Sequence, residues 1–248
     1  MERKEKIIIA VSVGVMLIVL VAFILWLVLG RKAAKGSKLT KKEVYAKAGK
    51  QFNLDPNLIC AIARTESSSG GYLPDGRPSI LFEGHVFWSE LEKRRKDPND
   101  YLPEYADVLN PTWDKSKYGK GGAYQHDRLA RAEQLCKEIG LDNTAALNAA
   151  GWGSFGIQGF SSDKAGYPSV QAMVKDFRES PNRDYVNVMA FLNFCANKTN
   201  SRGEKPILPA LRAKDWQTVA YNYNGAGYAK NQYDTKMAAN YEKCKNEL

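Results

Sequence analysis

In Leu58-Ile-Cys-Ala-Ile-Ala-Arg-Thr-Glu66-Ser-Ser-Ser-Gly-Gly71 an apolar run of helical period ends on a single carboxylate. Ile59, Ile62 and Ala63 recur at helical spacing, and Glu66, three and four residues beyond Ala63 and Ile62, continues their face. The spacing predicts a buried helix whose last turn carries Glu66 into poor solvent. Desolvation disfavours the ionised carboxyl and raises its pKa. Glu66 is therefore a candidate proton donor near neutral pH, which is what cleavage of a sugar–sugar bond requires of one carboxyl. From this stretch alone, a helix-terminal Glu turned to water remains the alternative. The small residues Ser67 to Gly71 end the helix and leave room for a large ligand.

Immediately upstream, Thr40 and Glu43 form a capping-box pair that opens a helix running to about Phe52, with Val44, Ala48 and Phe52 on one face. Asn53-Leu54-Asp55-Pro56 is a turn in which Asp55 caps the next helix and Pro56 suits its first position. Further upstream the chemistry changes. Residues 7–30 carry no charge and are dominated by Ile, Val and Leu; as a helix they span roughly 36 Å, enough to cross a bilayer. A single transmembrane segment (1–30), a basic linker (31–40) and one domain (41–248) are expected. A cleaved signal peptide competes with this reading, but its apolar core should be shorter.

The net charge of +9 belongs mostly to the membrane flank. Of 36 Lys and Arg and 27 Asp and Glu, nine and two fall in residues 1–42, so the other 206 residues hold 27 basic against 25 acidic groups. That balance gives no warrant for nucleic-acid binding; the basic cluster suits anionic lipid headgroups. Three basic residues precede the apolar segment and six follow it closely, a bias that favours a cytoplasmic domain. The function inferred below needs the opposite: a single pass through the inner membrane with the catalytic domain facing the periplasm.

Downstream, Tyr72 to Pro78 is turn chemistry and Ser79 to Trp88 is rich in Ile, Leu, Phe and Val, which predicts a short hairpin-like excursion passing into a helix at Val86 to Arg95. Glu83 lies in this run and is a candidate second carboxylate; two carboxyls flanking a glycosidic bond can act as acid and as helper of a water. His85 beside it is a candidate for the cleft wall. The four cysteines, 60, 136, 195 and 244, have no metal-ligand spacing, so neither a metal nor another cofactor is expected. Their even number allows disulfides, although Cys60 and Cys195, each in an apolar helix, read better as buried thiols.

Residues 91–126 read as a long loop with a short helix. Helices are predicted over Arg128 to Glu138, Asn143 to Ala150, Ser169 to Phe177, Arg183 to Ala196, Trp216 to Tyr223 and Tyr233 to Lys245. Between them, in Gly151 to Phe160, three glycines and the two aromatics Trp152 and Phe155 fall within seven positions, a composition suited to close backbone approach and an aromatic wall for a sugar ring. Gln158 there, and the amides and phenols of Tyr221-Asn222-Tyr223-Asn224, are candidate hydrogen-bonding partners for a ligand.

In this order, Glu66-Ser67-Ser68, Phe155-Gly156-Ile157-Gln158 and Tyr223-Asn224-Gly225 resemble the three motifs of the goose-type lysozyme and lytic transglycosylase superfamily. From about Lys41 to Leu248 the chain is similar to the N-acetylmuramidase domain of phage endolysins, through Leu73-Pro74-Asp75-Gly76-Arg77-Pro78, Ile80-Leu81-Phe82-Glu83-x-His85-Val86-Phe87 and Tyr223-Asn224-Gly225-x-Gly227-Tyr228-x-x-Asn231-x-Tyr233-Asp234. The resemblance implies a mainly α, lysozyme-like fold with a small β-hairpin. It also implies cleavage of the β-1,4 bond between N-acetylmuramic acid and N-acetylglucosamine in peptidoglycan strands; a monomer is expected. Glu66 would be the general acid, with Gln158, Tyr223 and Asn224 as sugar-binding positions. Ile157 stands where many relatives carry Met, and the preceding Tyr221-Asn222 competes with Tyr223-Asn224 for the cleft. A lytic transglycosylase and a non-catalytic wall-binding protein are the rival readings.

Overall fold

A computed structural model of the chain describes residues 38–66 and 70–248. The apolar segment 7–30, most of the linker 31–40, and Ser67 and Ser68 of the first motif lie outside the described residues. Among the described residues no helix is long and apolar enough to cross a membrane. In chain order the helices are α1 (Lys41–Phe52), α2 (Pro56–Glu66), α3 (Gly84–Lys93), α4 (Leu102–Tyr105), α5 (Ala123–Glu138), α6 (Thr144–Asn148), α7 (Val170–Glu179), α8 (Arg183–Asn197), α9 (Ile207–Ala213), α10 (Trp216–Asn224) and α11 (Tyr233–Lys245). The strands β1 (Ile80–Phe82), β2 (Ala150–Trp152) and β3 (Ile157–Gln158) form one antiparallel sheet in that order. The fold is mainly helical with a small open sheet, consistent with a lysozyme-like fold.

The entry into α2 follows the sequence. Thr40 and Glu43 complete the capping box of α1, and the Asp55 carboxylate accepts the Asn57 N–H at 2.9 Å where α2 begins. Every residue from Leu58 to Ala63 is buried. α2 is thus a core helix on all sides and not an amphipathic one. α11 packs beside it, and the contact is covalent: Cys60 is disulfide-bonded to Cys244, with Cα atoms 6.1 Å apart. This corrects the reading of Cys60 as a buried thiol, whereas Cys195 and Cys136 are buried and free. The two partners are 184 residues apart, and only the packing of the last helix on the second brings them within reach of each other.

The sheet also departs from the expected single excursion. Tyr72 and Pro78 form an isolated bridge around Gly76, whose φ of +87° is a left-handed conformation that favours glycine. β1 does not fold back on this turn. It pairs instead with β2, in the register Ile80↔Trp152 and Phe82↔Ala150, and β2 turns back into β3. The β2–β3 turn needs Gly153: its φ is +70°, and a Cβ there would lie 1.9 Å from the Asn187 carbonyl oxygen Oδ1. That oxygen accepts the Ser154 N–H at 2.8 Å, so α8 holds the turn by its side chain.

α3 begins at Gly84, two residues before the expected Val86, and α5 begins at Ala123, five before the expected Arg128. The polar run Gln125-His126-Asp127 looks like loop, yet its side chains serve the free edge of β1. Gln125 is 1% exposed; its Oε1 accepts the Phe82 N–H at 3.0 Å, and its Nε2 donates to the Tyr118 and Lys120 carbonyls. Arg128, 2% exposed, donates to the Phe82 carbonyl at 2.8 Å, and His126 Nε2 lies 2.9 Å from the Pro78 carbonyl. Backbone groups at a sheet edge need partners when buried, and here side chains of one helix supply them. α9 was not legible because Pro209 interrupts its pattern. The proline falls in the first turn, where its missing N–H costs no intrahelical bond.

Candidate active site

Glu66 is the last residue of α2, and Asn224 the last of α10. Between them Asn224 Nδ2 donates to Glu66 Oε1 at 3.3 Å. Burial drives the Glu66 pKa up to about 7, against the smaller opposing effect of this hydrogen bond. The carboxyl opens on a cavity of about 530 Å³ whose wall includes Phe155, Ile157, Gln158, Phe160, Tyr223 and Asn224. Phe155, Gln158, Tyr223 and Asn224 thus meet Glu66 at one cleft, although they come from three separate parts of the chain.

Of the two Tyr-Asn pairs, Tyr223–Asn224 faces the cavity. Two residues on a helix differ by roughly 200° in direction, so Tyr221 and Asn222 point elsewhere. Tyr221 is 56% exposed, and Asn222 donates to the Thr218 carbonyl of its own helix. The Tyr223 hydroxyl donates to the Phe155 carbonyl at 2.6 Å, and its ring meets Phe191 and Phe194 edge-on at 5.1 and 5.9 Å. Burial, then the nearby Glu66 carboxyl, raises the Tyr223 pKa well above the ordinary phenol value. The hydroxyl is therefore a permanent donor, a strut that fixes the Phe155 loop beside the acid.

Glu83 is held differently. It sits at the N-terminus of α3 in extended conformation, and its two oxygens are both engaged: Oε1 accepts from Gln158 Nε2, and Oε2 accepts the Tyr118 hydroxyl at 3.0 Å. His85 Nε2 lies 3.7 Å from the same Oε2. Neither Glu83 nor His85 is among the cavity-lining residues; Glu83 instead holds Gln158, which is. The other atom of that amide, Gln158 Oε1, is buried and has no hydrogen-bond partner among the described residues. Such an acceptor costs free energy unless a ligand N–H reaches it.

Residues 55–245 match the family model described as Muramidase: N-acetylmuramidase. The chain belongs to the N-acetylmuramidase family. The matched span runs from the turn before α2 to the end of α11 and contains Glu66, Glu83, Gln158, Tyr223 and Asn224. Among solved structures, the fold is similar to the crystal structure of Burkholderia AP3 phage endolysin, with a TM-score of 0.69 and 30% identity, covering 89% of this chain and 77% of that one. No curated protein matches. As a member of this family the chain is an enzyme of the glycoside-hydrolase, muramidase class.

Several wall residues carried no sequence signal. Phe194 has the spacing of a core residue on α8, and Lys164, Lys198 and Thr199 belong to no motif. Phe160, 49% exposed, lay within the glycine-rich segment, where an aromatic outside the core was the available clue.

Proposed function

We propose that this enzyme cleaves the β-1,4 bond between N-acetylmuramic acid and N-acetylglucosamine in peptidoglycan, with Glu66 as general acid. The observation that carries the reading is a desolvated carboxyl with a pKa of about 7 at the wall of a sugar-sized cleft. Asn224 holds Oε1, leaving Oε2 to carry the proton. As the bond to the leaving N-acetylglucosamine oxygen breaks, that proton passes to the oxygen and the ionised Glu66 remains; a water then adds its oxygen to the anomeric carbon and gives up one proton, which restores the protonated Glu66. Gln158 and Asn224 offer amide hydrogen-bonding groups to the sugars, and Phe160, 49% exposed, offers a ring face, while Phe155 backs the wall with its ring stacked on Phe191. Glu83 is a positioning residue that holds Gln158.

A specific observation favours a second reading. Among the described residues that line the cavity, Glu66 is the only carboxylate. In a lytic transglycosylase the same group, once ionised, takes the proton of the muramyl 6-hydroxyl as that oxygen attacks the anomeric carbon. Mass spectrometry of digested sacculi separates the two: reducing muramic acid ends support hydrolysis, and 1,6-anhydro ends support the transglycosylase. Glu66→Gln tests both against a non-catalytic wall binder, because only an enzyme loses turbidity-clearing activity while still binding sacculi.

We further propose that residues 7–30 anchor the domain in the inner membrane, with the domain facing the periplasm. The Cys60–Cys244 disulfide supports this side, since such bonds persist in oxidising compartments. It weighs against the flanking-charge bias, which points to the cytoplasm. Protease digestion of the C-terminal domain in intact spheroplasts is the test; full protection would place it inside.

A further inference from the structure

The wall of the cleft carries two lysines. Lys164 and Lys198 both line the cavity that holds Glu66. They come from different elements, the loop after β3 and the C-terminus of α8, and two hydrogen bonds fix those elements together. Asn197 Nδ2 donates to the Lys164 carbonyl at 3.0 Å, and Asn193 Nδ2 to the Ala165 carbonyl at 3.3 Å. Gly166, at φ +89°, permits the approach, since a Cβ there would lie 2.8 Å from Asn193 Nδ2.

The pair is poorly neutralised. Lys164 has only the exposed Asp163 at 3.7 Å, and among the described residues Lys198 has no ion-pair partner. The Lys198 ammonium lies 5.2 Å over the Phe194 ring, its proton affinity lowered by burial first and by Lys164 as well. The Glu66 shift, by contrast, has burial and Asn224 as its causes and no ammonium among them. A solvated lysine closing a helix C-terminus would explain Lys198 alone; it does not explain a second lysine brought to the same cavity wall.

We propose that Lys164 and Lys198 form a carboxylate-binding subsite of the cleft, which takes the carboxylates that a muramyl residue bears on its lactyl group or its peptide stem. The inference rests on the peptidoglycan reading above. It makes the cleft discriminate between glycans of the same backbone: those with muramyl carboxylates bind, and neutral N-acetylglucosamine polymers bind less well.

The experiment uses the Glu66→Gln protein, so that oligosaccharides stay intact, and measures affinity for three glycans of equal length. One is a neutral N-acetylglucosamine oligomer, one a muramyl glycan with free lactyl carboxylates, and one a muramyl glycan with peptide stems. A carboxylate-bearing glycan is expected to bind about fivefold or more tightly than the neutral one, a margin that shrinks with added salt. The arm that shows it identifies the carboxylate. Adding K164Q and K198Q removes the margin, and K164R with K198R keeps it, which separates charge from loss of folding. Equal binding of all three glycans, or a margin that survives the Gln pair, overturns the subsite alone. Binding of none by a folded protein overturns the peptidoglycan reading as well.

Discussion

Glu66 and Glu83 stand at opposite ends of helices, one closing α2 and the other preceding α3, and each comes out of an apolar stretch of sequence. Their surroundings differ in hydrogen bonds more than in burial. Glu83 accepts from Gln158 and Tyr118, with His85 close by. Glu66 accepts one 3.3 Å bond from Asn224 and is otherwise desolvated. Desolvation with little hydrogen bonding to offset it stabilises the proton on Glu66. In the proposed mechanism, two glutamates of similar sequence context therefore divide the work. One holds a proton at a cleft, and the other holds an amide that faces the cleft.

The sharpest way to break this comparison is Glu66→Gln. Loss of a general acid is expected to lower kcat by about 10²- to 10⁴-fold, and the same change should stabilise the fold. The Glu66 pKa lies above its unfolded value, so the folded state binds the proton more tightly. Stability consequently falls as pH rises from about 4.5 to about 7, and ionisation costs up to about 3 kcal/mol above that window. Chemical denaturation at pH 8 should find the Gln variant more stable than the parent; a less stable variant would contradict a desolvated acid. In the parent, kcat/KM should fall about tenfold per pH unit once pH exceeds about 7.

Next in size is the tether of the helix that carries Glu66. Cys60→Ser with Cys244→Ser should cost about 2 to 5 kcal/mol in a denaturation midpoint, because the bond closes a long loop. Serine at Cys136, a buried thiol outside the disulfide, acts without releasing any loop. Asn224→Ala removes the one hydrogen bond that lowers the Glu66 pKa, so the alkaline limb of the pH–rate profile should move upward while kcat falls. The smallest effect on chemistry is expected from Glu83→Ala. It leaves Gln158 Nε2 and the Tyr118 hydroxyl without their acceptor, which should cost about 1 to 3 kcal/mol of stability and raise KM. A kcat loss as deep as that of Glu66→Gln would instead make Glu83 a second catalytic acid.

Local signals were the legible part of this molecule. The capping box at Thr40, the apolar period of α2 and the phenol–amide run at the end of α10 each announce themselves within a few residues, and the acid and its Asn224 partner follow from them. What could not be read depends on which distant segments meet. β1 pairs with a strand some 70 residues later, Cys60 with a cysteine in the last helix, and Glu83 with Gln158 across the sheet. Gln125 and Arg128 look like surface polar residues because nothing in their own neighbourhood shows the strand edge they cover. The two lysines of the cleft wall escaped for the same reason: Lys164 and Lys198 become a pair only when the loop after β3 lies on α8.

The proton on Glu66 can be observed directly. A titration of its side-chain carboxyl, by isotope-edited NMR or by the infrared difference between the parent and Glu66→Gln proteins, should give a midpoint near 7 in the folded state. A midpoint near 4.5, the value of an ordinary glutamate, would mean that water reaches this side chain and that the proton donor must be sought elsewhere.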